Sequence, residues 1–289
     1  MKKSLLAFVM FFMMVTTVWA QSNVYIDQQD SGSGLVLDIY IDGAGSVVGE
    51  ASGGSNDEEF QIGGNANNID IDLLGANNKL YGEWLNTSGN SGTADLTINN
   101  SGASNVTKLN VGEGTATTDV VLNQDVDGAS NELSYFIGKS TFACVAGDTG
   151  AGGNAASGDY SICSAGSAVT AAVDDLNIDV NIDTDSNLLD IHDISTYASG
   201  TTVDIDIAGG NSNNVDIYRI GSGAHNTTIN VNGASNTIQA LQNGSAATTL
   251  TLDVDASSTD INTFQGNVAS TINMDINGAS ANIDVVIQP

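Results

Sequence analysis

The amino-acid sequence predicts an all-β solenoid, and three observations lead to this fold class. A block of alternating apolar residues followed by a small turn residue recurs along the chain, mostly every 22 to 32 residues. Glycine accounts for 33 of the 289 residues and proline for one. Charged residues make up only 14% of the chain, against about 25% in an average soluble domain. A recurring period of this length is typical of a stacked repeat.

The first twenty residues have the parts of a secretory signal peptide. Lys2 and Lys3 precede an apolar run over residues 5–18, and small residues precede a cleavage site after Ala20. The run is shorter than the roughly twenty residues that a membrane-spanning helix needs. We therefore expect residues 1–20 to be removed, leaving a secreted or cell-surface protein without a transmembrane segment. An N-terminal membrane anchor is the alternative.

Nine small residues anchor the repeat, and the seven glycines among them are predicted to form its turns. The anchors are Gly43, Gly75, Gly102, Gly128, Thr184, Gly209, Gly233, Ala256 and Gly278. Apolar residues occupy most of the positions six, four and two residues before each anchor, as at Ile178, Val180 and Ile182. Alternation with period two predicts a strand with one buried face.

An asparagine follows the anchor by three residues in five of the copies. These are Asn78, Asn105, Asn131, Asn187 and Asn236. Glycine and asparagine tolerate left-handed backbone conformations, and an asparagine side chain can bond its own backbone, so this spacing predicts a tight turn. An apolar residue returns two positions later in most copies. Each unit is therefore a strand, a tight turn, a second strand and a second turn.

A unit of 22 to 27 residues cannot bury its apolar face alone, so successive units must stack. The sequence predicts about nine stacked units, divided between an N-terminal region, 21–137, and a C-terminal region, 169–289. An antiparallel sandwich has similar strand spacing and is the alternative. The solenoid is favoured because the anchors repeat in composition as well as in spacing.

The segment 138–168 is the least repetitive part of the chain. It is rich in glycine and alanine and contains Cys144 and Cys163, the only two cysteines. In an oxidising compartment the default expectation is a disulfide between them, with two free buried thiols as the alternative. Such an insertion is either a loop that forms a binding face or a purely structural bulge.

Parts of the repeat resemble the curlin repeat of bacterial fibre subunits. The resemblance lies in Ser270-x-Ile272-x-Met274-x-Ile276-x-Gly278, in Asn236-Thr-Ile238-x-x-Leu241-Gln242, and in Ser22-x-Val24-x-Ile26-x-Gln28. It implies an exported β-solenoid that polymerises into extracellular amyloid fibres, adheres to surfaces and holds biofilms together. The chain departs from the family at Asp30, where the family has glycine. The position that holds an interior glutamine in the family is aliphatic here in eight copies, namely Ile41, Leu73, Val126, Ile182, Ile207, Val231, Val254 and Ile276, with polar Asn100 as the exception.

The charge balance excludes nucleic acid as a partner, because phosphate binding needs a basic surface. The chain has 34 acidic residues against six basic ones. Many aspartates alternate with the apolar residues and are expected on the outer face, among them Asp38, Asp70, Asp72, Asp204 and Asp206. Stacked carboxylates one strand apart repel each other. Neutralisation by Ca²⁺, which prefers oxygen ligands, is one possibility, and a solvated acidic face is the other.

No set of residues stands out as catalytic, so we expect no enzymatic activity. The two histidines, His192 and His225, are expected at the surface, and no phosphate-binding glycine-rich loop is present. The function predicted is that of a secreted structural or adhesive protein, which self-associates or binds an extracellular surface or glycan. A monomeric solenoid adhesin is the alternative, and a β-helix carbohydrate-active enzyme is a more remote one.

Overall fold

The computed structural model describes residues 23–28, 34–49, 60–63, 67–85, 94–111, 117–137, 173–193, 201–221, 224–244, 246–266, 270–278 and 281–288. The predicted signal peptide and the cysteine-containing insertion lie outside these ranges, so the disulfide stays a prediction. No helix in the described ranges is long and apolar enough to cross a membrane.

The described residues form β-strands joined by turns. In chain order the strands are β1 Asn23–Val24, β2 Ile26–Gln28, β3 Val36–Ile41, β4 Val47–Val48, β5 Phe60–Gly63, β6 Asn68–Leu73, β7 Lys79–Leu85, β8 Ala94–Asn100, β9 Val106–Val111, β10 Thr117–Val126, β11 Glu132–Ile137, β12 Val173–Ile182, β13 Leu188–Asp193, β14 Thr201–Ile207, β15 Asn214–Gly221, β16 His225–Asn232, β17 Thr237–Gly244, β18 Thr248–Asp255, β19 Asp260–Gly266, β20 Ser270–Ile276 and β21 Asn282–Gln288.

The strands form two parallel sheets, which confirms the predicted all-β solenoid. The smaller sheet has nine strands in the order β20-β18-β16-β14-β12-β10-β8-β6-β3. The larger has twelve, along the path β1-β4-β7-β9-β11-β13-β15-β17-β19-β21, with β2 and β5 beside it. From β5 to β21 the chain alternates between the sheets. Because every strand pair is parallel, the described residues do not form the alternative antiparallel sandwich.

The core lies between the two sheets and is largely aliphatic. The inward residues of β6, Ile69, Ile71 and Leu73, are fully buried, and the equivalent positions of β12 and β14 are buried in the same way. Each such side chain contributes roughly 1.5–3 kcal/mol when it leaves water. The inward residues of β20 are only partly buried, because β20 is an edge strand among the described residues. The predicted inward triplets are thus confirmed, and an end of the stack is open.

The number of turns differs from the prediction. Counted as complete turns, the described residues give about six, fewer than the nine predicted units, although nine strands stack in the smaller sheet. The difference arises because each connection from the larger sheet back to the smaller one includes residues outside the described ranges. Variation in repeat length is concentrated at that corner, whereas the strands of the smaller sheet keep one register.

Candidate functional site

The tight turns between the two sheets are built on a ladder of buried asparagines. The side-chain Oδ1 of each asparagine accepts a hydrogen bond from the backbone N–H of the equivalent residue one turn earlier. For Asn105, the donor is Asn78 at 2.8 Å, and its own Nδ2 donates to Gly102 O at 2.9 Å. The ladder consists of Asn78, Asn105, Asn131, Asn187, Asn213 and Asn236. It confirms the predicted tight turn and fixes the register of successive units.

The left-handed residue of these turns is not the glycine, as predicted, but the residue immediately before the asparagine. Examples are Ser104 and Ser130, both with φ of 61°. Glycine is required because a Cβ on Gly102 would lie 2.1 Å from Gly75 O of the preceding turn. A Cβ would be similarly close to a backbone carbonyl oxygen of the preceding turn at Gly75, Gly128, Gly233 and Gly278. For Gly75 that oxygen belongs to Gly43. Close stacking of backbones, rather than a positive φ, therefore selects glycine at Gly75, Gly102, Gly128 and Gly278, whereas Gly233 has both the close contact and a φ of 158°.

One predicted anchor, Gly209, is wrong by one residue. A Cβ on Gly209 would meet nothing within 4 Å, whereas one on Gly210 would lie 1.9 Å from Thr184 O. Asn213, three residues after Gly210, occupies the ladder position. The shift arises because two residues, Ala208 and Gly209, separate Ile207, the last inward residue of β14, from the anchor, where the other turns have one residue after the last inward residue.

The outer face of the smaller sheet carries the predicted acidic residues, but asparagines separate many of them. One row across the sheet reads Tyr40, Asp72, Asn99, Asp125, Asn181, Asp206, Asn230, Asp253 and Asp275. Asn99 Nδ2 donates to Asp72 Oδ1 at 2.6 Å, and Asn181 Nδ2 to Asp125 Oδ1 at 3.0 Å. Alternation places like charges about two strand spacings, or ~10 Å, apart over most of the row. The repulsion expected from a continuous acidic ladder is therefore largely avoided here.

The neighbouring row does bring aspartates together, at Asp38 with Asp70 and at Asp179 with Asp204. Partial burial and the adjacent carboxylates raise the pKa of Asp70, Asp179 and Asp204. Within the described ranges, no three His, Cys, Asp or Glu side chains are grouped as a metal site would require. These aspartates are adjacent like charges on the outer face of the smaller sheet.

A buried polar cluster, which the sequence analysis missed, lies at the return corner of the C-terminal units. Arg219 of β15 and Asp193 of β13 are fully buried neighbours, with Nε 3.3 Å from Oδ2. Arg219 Nη1 also donates to Asn226 O and to Thr227 Oγ1, each at 2.8 Å, and Nη2 donates to Thr201 Oγ1. In β9 and β11 the equivalent row holds Val111 and Ile137. The corner thus changes from apolar to polar along the stack.

His225 belongs to this cluster, so its predicted surface position is wrong. It is 1% exposed and its Nδ1 lies 3.3 Å from Thr201 Oγ1. His225 opens β16 and is in phase with the inward residues Thr227 and Ile229, which explains its burial. Burial and the charge of Arg219 lower the pKa of His225 to about 3, so the ring is neutral at pH 7. The side chain of His192 lies outside what the structure describes.

The two ends of the stack carry the exposed apolar side chains. Among the described residues, the large hydrophobic side chains that are well exposed are Tyr25 at 48%, Val36 at 73%, Tyr40 at 46%, Ile283 at 41% and Val285 at 39%. All of them lie in or beside β1, β2, β3 and β21, the first and last strands of the stack. Each end also presents an unpaired parallel strand edge, which is a template for pairing with another chain.

The fold and these surfaces define the chain as a parallel β-solenoid with open ends. No family model matches the sequence, and no curated protein or solved structure is similar to it.

Proposed function

We propose that this protein is a secreted structural protein whose copies associate end to end into an extracellular fibre or surface component, in the manner of the curlin-like proteins that its repeat resembles. The observation that supports this function is the location of the exposed apolar side chains. They lie in the first and last strands of the stack. Ile283 and Val285 are in the inward phase of β21, and Val36 and Tyr40 of β3 are on the outer face. An end that leaves aliphatic side chains in water gains from being covered.

The sides of the solenoid oppose lateral association and favour growth along the axis. The outer face of the smaller sheet is dominated by aspartate, asparagine and threonine, and the chain as a whole has a formal charge of −28. Like-charged faces repel each other at low ionic strength. Edge strands, by contrast, offer backbone donors and acceptors at the spacing of the sheet itself.

The test is fibre formation by the exported chain. The protein, purified after secretion, is incubated at pH 7.5 and followed by thioflavin fluorescence and electron microscopy, with and without sonicated fibres as seeds. Seeded growth of unbranched fibres, with the strands perpendicular to the fibre axis in diffraction, is the expected result. A β-rich species that remains monomeric at high concentration and with seeds would refute the proposal and leave a monomeric adhesin, to be examined for glycan ligands.

A further inference from the structure

The two sheets differ in their number of levels. Because β1 and β2 pair with β4 and β5 in one continuous register, they form a single level of the larger sheet. The larger sheet therefore has ten levels along its path, whereas the smaller sheet has nine. The first and last of the described strands belong to the larger sheet, since β1–β2 precedes β3 and β21 follows β20. The larger sheet consequently extends beyond the smaller one at both ends.

Simple end-to-end stacking of two copies is therefore incomplete. If β1–β2 of a second copy paired with β21, one strand would be missing from the smaller sheet between β20 and β3 of that copy. The inward side chains of β20 and β3, such as Met274 and Ile39, would face a gap one strand wide. If β20 instead paired directly with β3, then β21 would need the place that β1–β2 already occupies on β4 and β5.

On the basis of the proposed fibre function, we infer that β1–β2 is a removable strand that β21 of another copy displaces. In the exchanged state, β21 pairs with β4 and β5 of the next copy, and β20 pairs with its β3. Both sheets then continue across the junction without a missing level. The strand β1–β2 thereby acts as a built-in block on assembly, and the partner that relieves the block is a second copy of this chain.

The incoming strand is better suited to this place than the strand it replaces. β21 is seven residues long without interruption, whereas β1 and β2 have two and three residues. The shared register puts Ile283, Val285 and Ile287 in the rows that hold Val24, Ile26 and Gln28. Ile283 and Val285 come into the rows of Val48 and Phe60, which are both buried.

The other strand pair of the junction, β20 with β3 of the next copy, is also compatible in charge. The shared register of the smaller sheet brings Asp275 beside Tyr40 and Asn273 beside Asp38 of the next copy. No two aspartates become direct neighbours there. The asparagine and aspartate pair repeats the arrangement seen within the sheet at Asn99 and Asp72. The exposed Val36 and Tyr40 both gain a neighbouring strand.

A reversible clamp on β1–β2 tests the inference. Asn23 and Val47 are register partners in β1 and β4 and lie on the outer face, so the variant N23C/V47C ties the strand in place when oxidised. The matched control, T202C/N226C, joins β14 and β16 in the middle of the stack. Peptide mapping confirms each designed disulfide beside the native cysteines, and circular dichroism confirms the fold.

The expected result is loss of seeded growth in oxidised N23C/V47C, its recovery on reduction, and unchanged growth of the control in both states. A second variant, I26D, weakens the docking of β2 beside Phe60 and is expected to shorten the lag before fibres appear. If the clamped protein grows on seeds as fast as the reduced protein, the displacement is wrong while the fibre function stands. If the unmodified chain forms no fibres, the proposed function itself fails.

Discussion

Replacing Arg219 with leucine removes the guanidinium that faces Asp193 in the interior of the solenoid. Both side chains are fully buried, so the variant removes the positive charge beside the Asp193 carboxylate from the interior of the protein. Breaking a buried ion pair on one side costs about 3–5 kcal/mol. The Arg219→Leu variant is expected to lose that much free energy of unfolding at pH 7, a large fraction of the 5–15 kcal/mol typical of a domain.

The double variant D193L/R219L separates the charge from the hydrogen bonds. It makes positions 193 and 219 aliphatic, as the row already is at Val111 and Ile137, and removes both charges together. The carbonyl of Asn226 and the hydroxyls around it still lose a donor, which costs about 1–3 kcal/mol. We therefore expect the double variant to be more stable than the single one.

Urea denaturation followed by circular dichroism, under conditions where the protein is monomeric, measures both values. A loss below about 1 kcal/mol for Arg219→Leu, the range of an exposed ion pair, would show that water reaches the pair and would refute the reasoning. A double variant less stable than the single one would show that the loss does not come from the negative charge left at Asp193.

Three further predictions concern the turns, the histidine and the acidic face. Gly102→Ala forces a Cβ against the backbone of the preceding turn and is expected to cost about 1–3 kcal/mol, while Gly209→Ala, which meets nothing, changes the midpoint of thermal unfolding little. Because burial lowers the pKa of His225 to about 3, the unfolded chain binds a proton below about pH 6.5 that the folded chain does not. The free energy of unfolding is therefore expected to fall by about 2 kcal/mol between pH 7 and pH 5 through this histidine. The variant His225→Thr, which matches Thr201 in the same row, removes that contribution. If the variant has the same pH dependence of stability as the unmodified protein, the prediction is wrong. Burial and the neighbouring carboxylates raise the pKa of Asp204, so its ionised form is unfavourable in the folded protein at neutral pH and the cost is relieved on protonation. Asp204→Asn is therefore expected to raise the free energy of unfolding at pH 7 by a few tenths of a kcal/mol and to have no effect near pH 3. Denaturation at the two pH values measures the difference.

The repeating part of the fold could be predicted because it depends on local patterns. Alternation such as that before Thr184 determines which face of a strand is buried, and a fixed offset to the asparagine determines where the chain turns. The left-handed serines, for example Ser104, could not be predicted, since serine has no strong preference for that conformation. Gly209 was misplaced because the apolar triplet Val203, Ile205 and Ile207 has the expected spacing to it. The asparagine three residues after Gly210 was the sequence signal for the observed anchor.

The buried corner was missed although the sequence contains a signal for it. Arg219 stands two residues after Ile217, in phase with the inward side chains of its strand, and Asp193 stands two after Ile191 in the same way. A polar residue in the inward phase predicts a buried partner. The sequence does not show that Asp193 and Arg219 are register partners in adjacent strands, because their pairing depends on the length of the connection between β13 and β15.

The constant register of the smaller sheet has a practical consequence for carrying foreign peptides. Strand β10 pairs with β12 residue for residue, as at Val120 and Leu176, although the connection at 138–172 separates the units that contain them. Since the entropic cost of closing a loop grows only slowly with its length, the stack tolerates a long segment at this corner without a shift of its neighbours. A binding peptide or enzyme inserted between residues 138 and 172 would be displayed once per copy and, in a fibre, at regular intervals along its length.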